Sequence, residues 1–456
     1  MNNKSQIHGS ALIPLIIFIE GFCSLGAEIV ALRRLVPHVG SAIVVTAPTI
    51  GFFLLALALG YAAGGKVTQG HLARVTRNFL LSGVIIGVGL AGPVVNALFA
   101  QLQPVWLAYL VFIGGVLCPI AWLLGQTVPI LSNLMKHDHV GQASGTALYW
   151  STLGSFLGSV SLSVIVMQFL GVSTAVLACT FGLLAGALLL QPRPLGRTML
   201  PVAVGLGVIV LNLTPIAAAD TAYADYQVMP LDSVGHVRAR MFISNNSLSS
   251  QIDDSTPPKV HPYISHIRRT LLEDLGFRER EILVLGAGGF TLSQQESLNR
   301  YTYVDIDPAI RQIAEDHFLR GPVQGEFVAQ DARQYVLETS RQFDAVVLDV
   351  FSDRAAIPSH LVTREFWQAT QRTLKANGVL LANLILDSRL TSPYARHLLD
   401  TMESVYGRCS TEVLRKGQAF SNVIAVCHAG GRPFPRGIYS DERNRVDFEK
   451  YATGIR

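Results

Sequence analysis

Glu281-Ile-Leu-Val-Leu-Gly286-Ala-Gly288-Gly289 carries the fold of the second half of the chain. An apolar strand runs into a glycine-rich turn and then, on this pattern, a helix. Glycines at such a turn let the backbone approach a ligand closely. Asp305 lies nineteen residues beyond Gly286, in Tyr303-Val304-Asp305-Ile306-Asp307-Pro308. An acid ending a second strand can accept hydrogen bonds from both hydroxyls of a ribose. Gln330-Asp331-Ala332 follows a third strand, where a carboxylate could receive an adenine amino group, and Phe343-Asp344-Ala345-Val346-Val347-Leu348-Asp349 ends a fourth strand in another acid. All four features fall at the carboxyl ends of strands, where open parallel sheets bind ligands.

Outward from this core, strands are expected at Ile282–Leu285, Tyr301–Val304, Glu326–Ala329, Ala345–Leu348 and Val379–Asn383, with helices between them. That alternation predicts a parallel sheet covered on both faces. Thr411–Leu414 and Val423–Val426 predict an antiparallel pair at the sheet edge. Upstream, a helix is expected near 260–275. Val237–Ser244 alternates apolar and polar residues and would pair with Asp225–Leu231 in a small β-hairpin subdomain. Residues 217–225 look like a short linker.

The first half is different in kind. Half of the 456 residues are hydrophobic and 15% are charged, and the charges are sparse between Ala11 and Ile216. A membrane span needs about 20 apolar residues. Seven are expected, at 11–32, 41–64, 79–100, 106–131, 146–170, 173–191 and 199–216. Gly154 and Gly158 are spaced for close helix packing. Glu28 is an acid inside the first span, read either as an ion pair with Arg33 or Arg34 or as a ligand or gating group. The expected domains are thus a helical membrane domain at 1–216, a linker and β-hairpin at 217–257, a Rossmann-like domain at 258–430 and a tail at 431–456.

Net charge is +4 with no basic stripe, which argues against nucleic acid as a partner. The five cysteines form no CxxC pair, and the histidines lack helical metal-pair spacing, so no metal is expected. Lys4, Lys66, Arg74, Arg77, Lys136, Arg193 and Arg197 fall on one side of the seven-span arrangement, and Arg33 and Arg34 on the other. The excess of basic residues in cytoplasmic loops then puts everything after Ile216 outside. Cys409 and Cys427 would lie nearly opposite each other in the edge hairpin, positioned for a disulfide outside the cytoplasm.

From about Tyr223 to His428 the chain resembles the spermidine synthase family, the polyamine aminopropyltransferases. The whole chain is similar to the membrane-fused branch, through Gly26-Ala-Glu28-Ile, Arg33-Arg34-Leu-Val-Pro37 and Gly40-Ser41, and through Asp349-Val-Phe-Ser352-Asp353 with Ile357-Pro358-Ser-His360. The resemblance implies a spermidine synthase or methyltransferase fold and an inner-membrane location in a bacterium. It also implies aminopropyl transfer from decarboxylated S-adenosylmethionine to an amine, releasing methylthioadenosine. Gly286, Gly288 and Gly289 match the nucleoside-binding glycines. Asp305 stands at the ribose-binding acid, Asp331 at the adenine-binding Asp and Gln251 at the Gln of the LDGxxQ strand. Tyr263 stands at the Tyr of the YHE motif, with Asp353 as a second substrate-binding acid, and Asp349 matches the catalytic acid. The chain departs from the family pattern in a shortened glycine run, in an acid one residue late at Asp353, and in a YHE motif reduced to its tyrosine. The implied partners are the lipid bilayer, a small amine or polyamine, and a second copy in a homo-oligomer. An S-adenosylmethionine-dependent methyltransferase, or a transporter or sensor with a non-catalytic nucleoside-binding domain, remains open at this point.

Overall fold

The computed structural model describes residues 3–40, 43–135, 140–190, 205–213, 219–231, 238–245, 247–351 and 357–430, with 439, 441, 446 and 449 singly. The chain divides into two compact units, Met1–Ile216 with Asp220–Ala222, and Ala217–Ala219 with Tyr223–Arg456.

The first unit is helical: α1 (Asn3–Val39), α2 (Ile43–Gly64), α3 (His71–Gly89), α4 (Gly92–Gln101), α5 (Val105–Ser132), α6 (Gly141–Leu170) and α7 (Val172–Leu190). Among the described residues six of these, all but the short α4, are long and apolar enough to cross a membrane. The span expected at 79–100 is split. Its helix ends at Gly89 and a new one starts at Gly92, with Pro93 in the first turn. Proline lacks the N–H that a continuing helix needs, but fits an opening turn. Of the span expected at 199–216, residues 205–213 are helical and the rest lies outside the described residues.

The polarity of this unit is inverted. Leu55, Phe156, Val164 and Phe169 are exposed, whereas Glu20, Ser24, Glu28, Asn78 and Gln126 are buried. The buried Asn78 amide nitrogen donates to the Leu123 carbonyl of a neighbouring helix at 3.1 Å, while its Oδ1 has no partner among the described residues. Helices α1 and α6 approach closely at the expected small residues. A β-carbon at Gly154 would lie 2.2 Å from the Phe18 carbonyl oxygen, and one at Gly158 2.3 Å from that of Phe22.

Two expectations are corrected here. Glu28 does not pair with Arg33 or Arg34. Arg33 donates to the carbonyls of Thr221 and Ala222, both at 2.9 Å, and Arg34 to Asp220 at 3.3 Å and Ser173 at 3.0 Å. The arginines lie a turn beyond Glu28, and Asp220 is the acid their heads reach. For the same reason 220–222 is not a free linker but is anchored by two buried guanidinium groups.

In the second unit, β1 (Asp225–Leu231), β2 (Ala239–Ser244) and β3 (Ser247–Asp253) form consecutive antiparallel pairs. The expected hairpin thus gains a third strand, turned back at Asn245, whose positive φ of 48° suits a tight reversal. Helix α8 (Pro262–Arg269) leads into a seven-stranded sheet of β4 (Glu281–Leu285), β5 (Arg300–Asp305), β6 (Glu326–Ala329), β7 (Phe343–Leu348), β8 (Leu374–Asp387), β9 (Ser410–Val413) and β10 (Phe420–His428). The spatial order is β9-β10-β8-β7-β4-β5-β6. The strands from β4 to β8 pair in parallel, and β10 and β9 close one edge antiparallel. Alternate residues feed opposite faces, as in a sheet buried on both sides. Leu283, Leu285, Val346 and Leu348 pack with Phe366, Trp367, Leu398 and Met402, while Ile282, Val284, Ala345 and Val347 pack with Ile267 and Phe318. The crossovers include α9 (Ile310–Ile313), α10 (Ala332–Glu338), α11 (Arg364–Arg372) and α12 (Pro393–Tyr406). A disulfide joins Cys409 to Cys427 across the edge pair.

The helix expected after the glycine turn is absent: residues 286–299 form successive turns between β4 and β5. Phe290 and Gln295 both sit at φ 55°. Backbone N–H groups that a helix would use are taken by side chains, Ser293 N by the Tyr303 hydroxyl at 3.0 Å and Gln295 N by Gln324 at 2.7 Å. Local side-chain acceptors of this kind compete with the helical ladder.

Candidate active site

The direction of strand growth reverses between β4 and β7, the place where open α/β sheets leave a crevice at their carboxyl ends. Gly286 leaves one strand there and Asp349 the other. The Asp349 N–H donates to the Leu285 carbonyl at 2.8 Å. Gly286 has φ +90°, and a β-carbon on it would lie 2.3 Å from the Asp349 carbonyl oxygen. Only glycine lets the two strand ends approach this closely.

Both oxygens of the Asp349 carboxylate are held. Tyr263 Oη, on α8, lies 2.9 Å from Oδ2, and Asn383 Nδ2, on β8, donates to Oδ1 at 2.8 Å. The Tyr263 hydroxyl also lies 2.9 Å from the Ser249 carbonyl, so its single proton serves two acceptors. Asn422 Nδ2 on β10 donates to Asn383 Oδ1 at 2.9 Å, which fixes the orientation of the Asn383 amide. Burial pushes the Asp349 carboxyl up to about 6, against the two hydrogen bonds that lower it. The Tyr263 phenol is raised by burial and then by Asp349 beside it, so it remains protonated. The His261 ring lies tilted against Tyr263, with ring centroids 4.8 Å apart, and burial lowers it to about 4, leaving it neutral near pH 7.

The glycine turn is built against β3 and β5. Gly289 N donates to Ser250 Oγ at 2.9 Å, and Gly288, at φ +49°, leaves 3.0 Å between a notional β-carbon and Ser249 Oγ. Asp305 accepts from Ala287 N at 2.9 Å through Oδ2 and from Asp307 N at 3.0 Å through Oδ1. Burial raises it to about 6. Each oxygen keeps a second lone pair for a further donor. Asp307 is occupied by the Tyr226 hydroxyl at 3.0 Å and the Ala309 N–H at 3.0 Å.

The remaining expected residues are dispersed. Asp331 caps α10, accepting from Arg333 N at 2.9 Å and Gln334 N at 3.0 Å, with His360 Nε2 3.1 Å from its other oxygen. The His360 hydrogen bond, before the backbone ones, holds this carboxyl below its usual value. Gln251 lies half-buried on β3 opposite Met241, and it is its neighbours Ser249 and Ser250 that reach the glycine turn and Tyr263. Asp353 lies outside the described residues. Asn383 and Asn422 were not anticipated. The signal for Asn383 was a lone amide in the apolar run Leu380-Leu-Ala-Asn383-Leu-Ile-Leu386, since a buried amide implies a polar partner. Among the described residues no three His, Cys, Asp or Glu side chains are grouped to hold a metal ion.

No protein-family model matches the chain. A polyamine aminopropyltransferase of Vibrio vulnificus is 34% identical over 160 residues, 33% of this chain and 52% of that protein. Polyamine aminopropyltransferase 2 of Aquifex aeolicus is 23% identical over 409 residues, 82% of this chain and 78% of that protein. The chain is similar to polyamine aminopropyltransferases. It spans about half the length of the Vibrio relative, while the Aquifex match is long enough to include part of the apolar half. Among solved structures, a probable spermidine synthase from Corynebacterium glutamicum matches 47% of this chain and 81% of its own, at 20% identity and a TM-score of 0.40. Spermidine synthase from Thermotoga maritima matches 50% and 87%, at 14% identity and a TM-score of 0.32. The spermidine synthase-like character expected from the motifs is thus borne out by the sequence relatives.

Proposed function

We propose that the chain is a membrane-embedded aminopropyltransferase that moves the aminopropyl group of decarboxylated S-adenosylmethionine to an amine. The observation that carries this reading is the Asp349 carboxylate, at the β4–β7 crevice and gripped on both oxygens by Tyr263 and Asn383. Its relatives' names agree with it.

The residues present suit such a donor. The glycine turn offers backbone clearance at Gly286, Gly288 and Gly289, and Asp305 retains lone pairs for a ribose diol. Asp331 caps a helix through one oxygen, and its other oxygen faces His360. In the transfer, a neutral amine nitrogen attacks the carbon attached to the sulfonium. A carbon–nitrogen bond forms, the carbon–sulfur bond breaks, and its electron pair returns to sulfur, leaving a neutral thioether. Asp349 is ionised above about pH 6, so at neutral pH it can orient the amine and take the proton that the new ammonium sheds. Tyr263 and Asn383 keep the carboxylate from turning away. Tyr263, Gln251 and Asp353 are assigned to the substrates through the family resemblance.

The six apolar helices and the inverted polarity of the first unit support a bilayer location. The disulfide and the basic-residue bias both favour the outer side for the catalytic unit. The test of the reaction is Asp349→Asn in the full chain. Nucleoside binding is expected to persist while methylthioadenosine release falls roughly 100-fold or more. Release at the wild-type rate would remove Asp349 from the mechanism.

A further inference from the structure

Four described residues of the expected tail, Tyr439, Asp441, Val446 and Glu449, are docked on the second unit. Tyr439 and Val446 are buried in the same apolar cluster as Phe366 and Leu398. The Tyr439 N–H donates to Thr401 Oγ1 of α12 at 3.0 Å, and its carbonyl accepts from Arg364 N of α11 at 2.9 Å. Asp441 N then donates to Glu365 Oε2 at 3.1 Å. These bonds hold Asp441 where it meets α10. Its carboxylate grips the Arg333 guanidinium with both oxygens, Oδ1 at 2.9 Å from Nη1 and Oδ2 against Nη2. Nη1 also donates to the His360 carbonyl at 2.8 Å and reaches Thr363 Oγ1 at 3.3 Å. A two-pronged guanidinium–carboxylate pair fixes a plane as well as a distance, so Asp441 sets how Arg333 presents itself to the 360–363 turn.

That turn carries His360, whose Nε2 lies 3.1 Å from Asp331 Oδ2. The two oxygens of Asp331 are not equivalent. Oδ1 is taken up as the helix cap by Arg333 N at 2.9 Å and Gln334 N at 3.0 Å. Oδ2 meets His360 and keeps a second lone pair for one more donor. A carboxylate that turned about its bond would turn that lone pair away from the crevice. His360 opposes the turn, and the Arg333–Asp441 pair holds His360. We propose that Asp441 is a positioning residue for the nucleoside, acting through Arg333 and His360 to aim the Asp331 oxygen that receives the adenine amino group. The choice of adenine rests on the aminopropyl-transfer reading.

The experiment measures base discrimination by the full chain in detergent. Isothermal titration compares methylthioadenosine with methylthioinosine, which carries an oxygen in place of the amino group. Wild type is expected to prefer methylthioadenosine by about tenfold or more, because a carboxylate oxygen accepts from the amino group and repels the carbonyl. Asp441→Ala is expected to reduce that preference to about threefold or less, by weakening methylthioadenosine while methylthioinosine stays within about twofold. Arg333→Lys should act in the same direction, since one ammonium group cannot hold both Asp441 oxygens and the His360 carbonyl. Asp441→Glu can re-form the pair and should restore most of the preference. In turnover, KM for the nucleoside donor should rise in Asp441→Ala while kcat and KM for the amine do not change. An Asp441→Ala variant that keeps the wild-type preference, or that loses affinity equally for both nucleosides along with its melting temperature, overturns the positioning role and leaves Asp331 as the adenine acceptor. Equal binding of the two nucleosides by the wild type, or binding of neither, would instead remove Asp331 from the adenine role, and Asp441 with it.

Discussion

At the scale of single residues, the crevice holds two carboxyl groups, Asp305 and Asp349, each raised by burial from an ordinary value near 3.8 to about 6. Each therefore binds its proton more tightly in the folded chain than in the unfolded one. Their contribution to stability is greatest below about pH 4 and is lost as pH rises through about 6. Asparagine cannot ionise, and at position 349 it could still accept from Asn383 and donate to Tyr263. Asp349→Asn should thus stabilise the fold at pH 8 and leave it unchanged at pH 4. Asp349 is partly exposed, so screening trims the effect to about 1–2 kcal/mol. Thermal unfolding of the full chain in detergent at the two pH values checks this, and an equal shift at both would contradict the cause given. The position of Asp349 was legible because an acid ending an apolar strand stands out. Its partners were less so. Asn422 reaches the site through Asn383, on a strand that is its neighbour only in space, and nothing local in Phe420-Ser-Asn422 announces that pairing.

At the scale of elements, period and punctuation located the five parallel strands and the edge pair, because each is a short apolar run bounded by turn residues. The missing helix after Gly289 escaped the same logic. Thr291-Leu-Ser-Gln-Gln-Glu-Ser-Leu298 contains reasonable helix formers, and it was tertiary acceptors, the Tyr303 hydroxyl and the Gln324 amide, that captured its N–H groups. In the helical unit, by contrast, small residues told the truth about packing. Gly154→Leu should force α1 and α6 apart, costing about 1–3 kcal/mol or more. Gly141→Leu on the same helix should be near neutral, because nothing lies within 4 Å of a β-carbon there. Comparing the melting temperatures of the two variants in one detergent checks the contrast, and matched losses would argue against a tight α1–α6 seam.

At the scale of the whole molecule, the chain joins a unit with an apolar exterior to one whose apolar residues line both faces of a sheet. The composition shift near Asp220 marked the boundary between the two units. If the helical unit lies in a bilayer as proposed, composition does not reveal which side the second unit faces, because one span more or fewer inverts the answer. Six candidate spans lie among the described residues, and a seventh helical stretch covers 205–213. On the proposed reading, seven crossings with a cytoplasmic N-terminus would put the second unit outside, where Cys409 and Cys427 would stay oxidised. An alkaline phosphatase fused after Arg456 should then be active and a green fluorescent protein at the same point dark. The opposite pair of results would place aminopropyl transfer in the cytoplasm.

The Cys409–Cys427 bond has a consequence for how copies of this chain meet. The outermost strand of the large sheet is only Ser410–Val413, it carries Glu412, and it is covalently welded to its inner neighbour at one end. An open sheet edge is ordinarily a template on which another chain can add a strand, and short, charged edges blunt that tendency. Here the edge is both short and unable to peel away, so intermolecular strand addition, with the aggregation it seeds, is disfavoured on that side of the sheet.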